Sequence, residues 1–207
     1  STTPADTSLG YTSSWTTAGN WSLNTVPDAN TPVFIPVSPI GGNNPAITTA
    51  ASVQNIQLNS GATLTIDTTA SLSVYGTWTG GKAAKASVTG KGSVQLVATT
   101  IQHVEGRTEF QTLICNNTAT QMQANSAIDI YKKLVLQEGT FTAGTFGGNN
   151  KDTVTLKATA ANSYAMLQII NGTYAGFIRD ECYYNVPTTA NSFNQHMMGS
   201  PIDILSL

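Results

Sequence analysis

Short apolar alternations separated by Gly, Asn, Ser and Thr recur along almost the whole chain, and no window keeps helical apolar spacing beyond about two turns. From Ser52 to Trp78 the segment SVQNIQLNSGATLTIDTTASLSVYGTW holds three such runs: Val53 to Leu58, Ala62 to Ile66 and Ser71 to Tyr75. The links between them, Asn59-Ser60-Gly61 and Thr68-Thr69-Ala70, are too short for crossover helices. Very little helix is therefore expected. Stepping along the chain from Leu72 by roughly 19 to 22 residues meets an apolar residue at Val94, Leu113, Leu134, Leu156 and Ile178. Two positions further on, a second ladder reads Val74, Leu96, Cys115, Leu136 and Ala158. Residues i and i+2 share one face of a strand, so both ladders would point inward and stack coil on coil.

This pattern predicts an all-β fold, a right-handed parallel β-helix (β-solenoid). Residues 1–36 are expected to form an N-terminal capping segment and 37–179 the solenoid coils, with 180–207 an irregular closing segment or the start of a next module. An antiparallel sandwich also uses short strands and turn clusters. It would carry frequent Asn-Gly hairpin signals, however, and here Asn171-Gly172 stands alone.

Composition narrows the class. Of 207 residues, 40% are hydrophobic, too many for a chain that cannot collapse, while only 10% are charged, so solubility rests on hydroxyls and amides. The net charge of −2 and the scatter of Lys and Arg, apart from Lys132-Lys133, leave no basic stripe for phosphates, so nucleic acid is not an expected partner. No apolar stretch approaches the ~20 residues that span a bilayer. The start, Ser1-Thr2-Thr3-Pro4, is not a signal peptide, and any such leader is read as already removed.

The residues also resemble a known group. WTTAGNWSLNTVPDANTPVFIP (Trp15 to Pro36), followed by SVQNIQLNSGATLTI, resembles the start of solenoid regions in large Bacteroidetes cell-surface proteins exported by the type IX secretion system. GSVQLVATTIQHVEG, TEFQTLICNNTAT and SAIDIYKKLVLQEGTFTAG are similar to that group's successive short strands ending in Asn or Gly. DECYYNVP (Asp180 to Pro187) with Gly199 to Ile202 resembles its closing segment, departing from it at Cys182 and at His196-Met197-Met198. The resemblance implies secretion, an extracellular cell-surface location, and roles in adhesion or gliding. It also implies a module of a longer protein, partnered by neighbouring modules, surface polysaccharide or other cell-surface proteins.

Candidate chemistry changes this picture little. Paired carboxylates serve glycosidases, and Glu105 and Glu109 are the nearest pair in sequence, yet they flank Gly106-Arg107, where acids are ordinary turn residues. His103 and His196 lack a neighbouring Asp and Ser in order, so structural roles are expected. No catalytic residue and no metal site is assigned. Asp28 with Asn30, and Asn149-Asn150 with Asp152, read as turns whose Asx side chains bond their own backbone, with a structural calcium ion at a loop as the alternative. Trp15 and Trp21 are expected to plug the open end of the solenoid. Tyr75, of outward parity, is the candidate binding aromatic; Trp78 lies in the same part of the chain. Asp67-Thr68-Thr69 and Asp152-Thr153-Val154 resemble the O-glycosylation acceptor pattern of the same bacterial group, making Thr68 and Thr153 candidate sites. Cys115 on an inward row and Cys182 about three coils away should be free thiols, because three coils span ~14 Å. The expected function is a non-catalytic structural and adhesive module. A carbohydrate-binding module ranks second and a polysaccharide lyase or glycoside hydrolase third.

Overall fold

The computed structural model describes residues 5–119, 122–124, 127–143, 153–160 and 163–181. The chain winds into a parallel β-solenoid with three strand-bearing faces. The first face is an eight-stranded sheet formed by Asp6–Thr7, Val33–Ile35, Ile56–Leu58, Trp78–Thr79, Gln102–Glu105, Met122–Ala124, Thr140–Ala143 and Thr173–Gly176, in that order. It thus begins inside the first 36 residues: Asp6–Thr7 lies parallel to Val33–Ile35, which lies parallel to Ile56–Leu58.

The other two faces belong to one eleven-stranded sheet. The second stacks Ala46–Ile47, Thr63–Ile66 and Ala86–Gly90; the third stacks Ala51–Val53, Ser71–Val74 and Ser93–Ala98. Thr108–Asn117 and Ile128–Glu138 each run along the second face, turn the corner and continue along the third. A register shift between Phe110 and Thr112 marks that corner, where the later strand carries an extra residue. Such a bulge bends the strand without ending its ladder. Among the described residues there is no α-helix, only a 3-10 turn at Ala18–Asn20, and no helix long and apolar enough to cross a membrane.

Strict alternation is what the coils are made from. Thr63–Ile66 and Ser71–Val74 read TLTI and SLSV, and in both the second and fourth residues are buried while the hydroxyl residues face outward. Since the pleat sends successive side chains to opposite faces, each short strand supplies two inward residues. The rows line up across coils as Leu72, Val94, Leu113 and Leu134, and as Val53, Val74, Leu96, Cys115 and Leu136. All of these are buried. Burying each aliphatic side chain contributes about 1.5–3 kcal/mol, and each coil covers the apolar face of the one before it.

The two expected ladders depart from the structure at their last steps. Leu134 and Leu136 align with Leu167 and Ile169, not with Leu156 and Ala158. Val154–Leu156 sits instead on the second face, beside Ile128–Ile130, and Ile178 aligns with Val154 on that face. Between the second and third faces of this coil the chain makes the only antiparallel pair among the described strands, Ala158–Ala160 with Ser163–Tyr164. This hairpin lengthens the coil, and regular stepping along the sequence cannot anticipate an extra pair of strands that leaves the inward rows intact.

The N-terminal end is closed by a polar and aromatic knot. Trp15 and Trp21 are buried edge to face, ring centroids 4.6 Å apart, and Trp21 Nε1 donates to the Trp15 carbonyl at 2.8 Å. Asn20 ties Thr12 and Ser14 together through three hydrogen bonds of 2.6 to 2.8 Å, and buried Asp6 accepts from Ser22 Oγ and the Leu23 N–H. Farther along, a buried amide network stitches the corner between the third and first faces. Asn117 Nδ2 donates to the Thr100 carbonyl (2.9 Å) and Gln102 Oε1 (3.0 Å), and Gln102 Nε2 donates to the carbonyls of Val74 (2.7 Å) and Gly76 (2.9 Å). Corner carbonyls that leave the ladder would otherwise lose both water and partner.

Candidate functional site

The outward side chains of the second face form a row as regular as the core. Thr63, Ser87, Glu109, Asp129, Thr155 and Arg179 are register partners in succession. Neighbouring strands lie ~4.8 Å apart, so Glu109 and Asp129, 20 positions apart in sequence, are side by side. Two like charges at that separation need a counterion. It comes from Lys85, at the turn just before the Ala86–Gly90 strand, whose Nζ contacts Asp129 Oδ2 and lies 3.4 Å from Glu109 Oε1. Ser87 Oγ donates to Glu109 Oε2 at 2.9 Å and Tyr131 OH donates to Glu109 Oε1 at 3.3 Å. The Asp129 side chain is only 9% exposed, that of Lys85 40%.

Electrostatics follow from this packing. Burial by itself would lower the pKa of the Lys85 ammonium, but Asp129, and after it Glu109, outweigh burial and hold it above its ordinary value. Burial, with the charges of Glu109 and Asp129 beside it, raises the Tyr131 phenol against the opposing effect of Lys85. On the inward side, burial alone pushes the Cys115 thiol well above its ordinary range, so it behaves as a small hydrophobe.

A second feature lies on the outside of the third face. A shallow groove of about 440 Å³ runs over Ser71, Ser93, Thr112 and Lys133, with the turns carrying Thr68 and Lys91 along one side. Ser71, Ser93, Thr112 and Lys133 are successive register partners, so hydroxyls and then an ammonium repeat at the coil spacing. Lys133 Nζ donates to Gln168 Oε1 on the next coil at 3.2 Å.

The residues singled out from sequence fall as follows. Glu105 ends a first-face strand while Glu109 lies on the second face, so the sharp corner at Gly106 (φ 71°) separates them, and the carboxylate neighbour of Glu109 is Asp129. His103 is half-buried on the first face, and its buried Nδ1 has no hydrogen-bond partner among the described residues. Tyr75 is 48% exposed, Thr68 is exposed at the turn after Ile66, and Thr153 is half-buried just before Val154–Leu156. Trp78 is fully buried, its Nε1 donating to Thr108 Oγ1 at 3.0 Å and its ring against Phe110. Asp28 forms an Asx turn, accepting from the Asn30 N–H (2.9 Å) and Thr31 Oγ1 (2.8 Å); the Asn30 bond, then Thr31, lower its pKa. Among the described residues no three His, Cys, Asp or Glu side chains gather as a metal site. Cys182, His196, Asn149, Asn150 and Asp152 lie outside the described residues.

Lys85, Asp129 and Tyr131 were not anticipated from sequence. The signal was present in Ile128-Asp129-Ile130, where alternation turns Asp129 outward, and in the coil-length steps from Ser87 to Glu109 to Asp129. The same stepping that finds the leucine row finds this one. Lys85, placed by a turn, has no such signature.

Fold and surface together define a parallel β-solenoid with an apolar interior and a hydroxyl-rich exterior. Residues 8–123 match the family model described as a Domain of unknown function (DUF8693), and the chain belongs to that family. No curated protein and no solved structure matches the chain.

Proposed function

We propose that this chain is a non-catalytic structural and adhesive module of a secreted bacterial cell-surface protein, a stiff rod that spaces neighbouring modules and presents its outer faces. The observation that carries this reading is the continuity of the buried inward rows: from Val53 to Leu136 and from Leu72 to Leu134, every coil of the third face rests on the next. A core that is one continuous stack suits resistance to bending and to proteases, since opening one coil exposes the apolar faces of two. The partners in this proposal are surface polysaccharide, other cell-surface proteins and adjoining modules, met outside the cell. Tyr75 is a contact residue and Thr68 and Thr153 carry O-linked glycans. The reading needs no cofactor, with a structural calcium ion at a loop as the alternative.

The groove over Ser71, Ser93, Thr112 and Lys133 favours a second reading, a carbohydrate-binding module, because hydroxyls repeating at the coil spacing and ending in an ammonium group suit an extended sugar chain. A glycan array separates the two: broad, weak adherence without sugar preference is expected for the rod, whereas a defined preference lost in Lys133→Ala would establish the second. New reducing ends or unsaturated products from polysaccharides would overturn the non-catalytic assignment.

A further inference from the structure

We propose that Lys85 and Asp129 become joined by an intramolecular isopeptide bond, with Glu109 as the proton carrier, clamping three consecutive coils covalently. Three observations meet here. Lys85 Nζ contacts a carboxylate oxygen of Asp129, which places the nucleophile beside the group that holds the electrophilic carbon. The Asp129 carboxyl is largely withdrawn from solvent between Ile128 and Ile130, and Lys85 is its hydrogen-bond partner. Glu109, on the coil between them, reaches Lys85 Nζ with one oxygen and is fixed on its other oxygen by Ser87 Oγ.

The chemistry closes without any added reactant. Lys85 gives one ammonium proton to the Asp129 carboxylate, leaving a neutral amine and a neutral acid beside the Glu109 carboxylate. The amine lone pair attacks Asp129 Cγ, forming the C–N bond. The Glu109 carboxylate then takes the extra proton from the nitrogen and delivers it to the departing hydroxyl; the C–OH bond breaks and water leaves. An ammonium and a carboxylate become an amide and one water, and Glu109 ends as it began. Both carboxylates favour the ammonium, so the first proton transfer is the hard step, and a carboxylate in contact with the amine is what that step needs. Condensation in water is normally driven backwards. Holding the reactants in contact lowers the barrier, well-oriented intramolecular reactions reaching effective concentrations of about 10⁵–10⁸ M, and the largely buried Asp129 carboxyl is shielded from the water that would reverse the step.

The bond would tie the turn before Ala86–Gly90 to the strand two coils further on, adding a covalent link to coils held by ladder hydrogen bonds, side-chain contacts and apolar packing. This goes beyond the rod proposed above and does not depend on it, since a cross-link forms or fails whatever the rod presents.

The test is intact-mass spectrometry of the full chain made in a heterologous host and held folded at neutral pH, followed by peptide mapping. The expected result is a mass one water below that of the sequence, with a branched peptide joining Lys85 to Asp129. Lys85→Arg and Glu109→Gln should each restore the full mass while keeping a cooperative thermal transition. A folded wild-type chain at full sequence mass overturns the proposal and leaves an ion pair only. That measurement uses the unmutated protein, so it decides between bond and ion pair even where a variant fails to fold. A mass deficit that persists in Lys85→Arg would also overturn the proposal, by placing the lost water elsewhere.

Discussion

Truncating Trp78 to alanine should cost about 5–6 kcal/mol, and the figure can be assembled from its surroundings. The indole is fully buried in the first face, aligned with Ile56 on one coil and Val104 on the next, its ring centroid 4.9 Å from that of Phe110. Replacing a buried Trp or Phe by Ala costs about 3–5 kcal/mol, the upper part of that range applying where neighbours cannot collapse into the space. Here they are held by ladders on both sides, so collapse is restrained. The Nε1 bond to Thr108 Oγ1 adds about 1 kcal/mol, because the buried hydroxyl loses its donor. Trp78→Phe keeps most of the volume and loses the bond, and should cost about 1–2 kcal/mol. The assay is equilibrium unfolding in guanidinium chloride followed by circular dichroism. Tryptophan fluorescence of Trp78→Ala reports in parallel on Trp15 and Trp21 at the N-terminal end. Coincident transitions are expected if cap and central coils unfold together, and separated ones if the solenoid opens from the weakened rung. A loss below about 1 kcal/mol would refute the reasoning, since no fully buried aromatic pinned on two sides should be that expendable.

Other outcomes follow from the same structure. Gly90 has φ +90°, and a Cβ there would press into the Ile66 carbonyl oxygen, so Gly90→Ala should destabilise by about 1–3 kcal/mol, read as a lowered thermal midpoint. Cys115 should resist thiol reagents in the native protein and react fully once unfolded; rapid native labelling would show the inward row misplaced. Its thiol is raised in the folded state, so the folded chain holds a proton that the unfolded chain releases. Stability from this source is whole below the ordinary value of 9.0 and falls above it, by up to about 1.4 kcal/mol per pH unit. The raised phenol of half-buried Tyr174 acts in the same direction above pH 10.0, so thermal midpoints should decline through the alkaline range, and a flat profile would contradict both shifts. Tyr75→Ala should change stability by no more than about 0.5 kcal/mol, while weakening adherence to cell-surface material if this ring is a contact.

Alternation and coil-length spacing were enough to read the architecture, because both are properties of the chain that the fold repeats. A strand turns every second side chain inward, so Leu72 and Val74, Val94 and Leu96, and Leu113 and Cys115 announce a common interior without coordinates. The burial of Trp15 and Trp21 at the first coils was legible for a related reason: an open end of stacked apolar rows needs large side chains to close it. Periodicity stops being informative where a coil changes length. The pair Ala158–Ala160 and Ser163–Tyr164 adds residues without disturbing the inward rows, so Leu156 looks like the next rung when Leu167 is.

What only the tertiary structure decided is which outward side chains meet. Lys85, Glu109 and Asp129 are separated by more than a coil's length of sequence in all, and become neighbours solely because parallel coils stack ~4.8 Å apart with their registers aligned. A regular hydrophobic period constrains the interior because water rejects every member of the row alike. The exterior has no such common driving force, and its polar pairs are set by register and by the course of individual turns, which are known once the chain is closed upon itself.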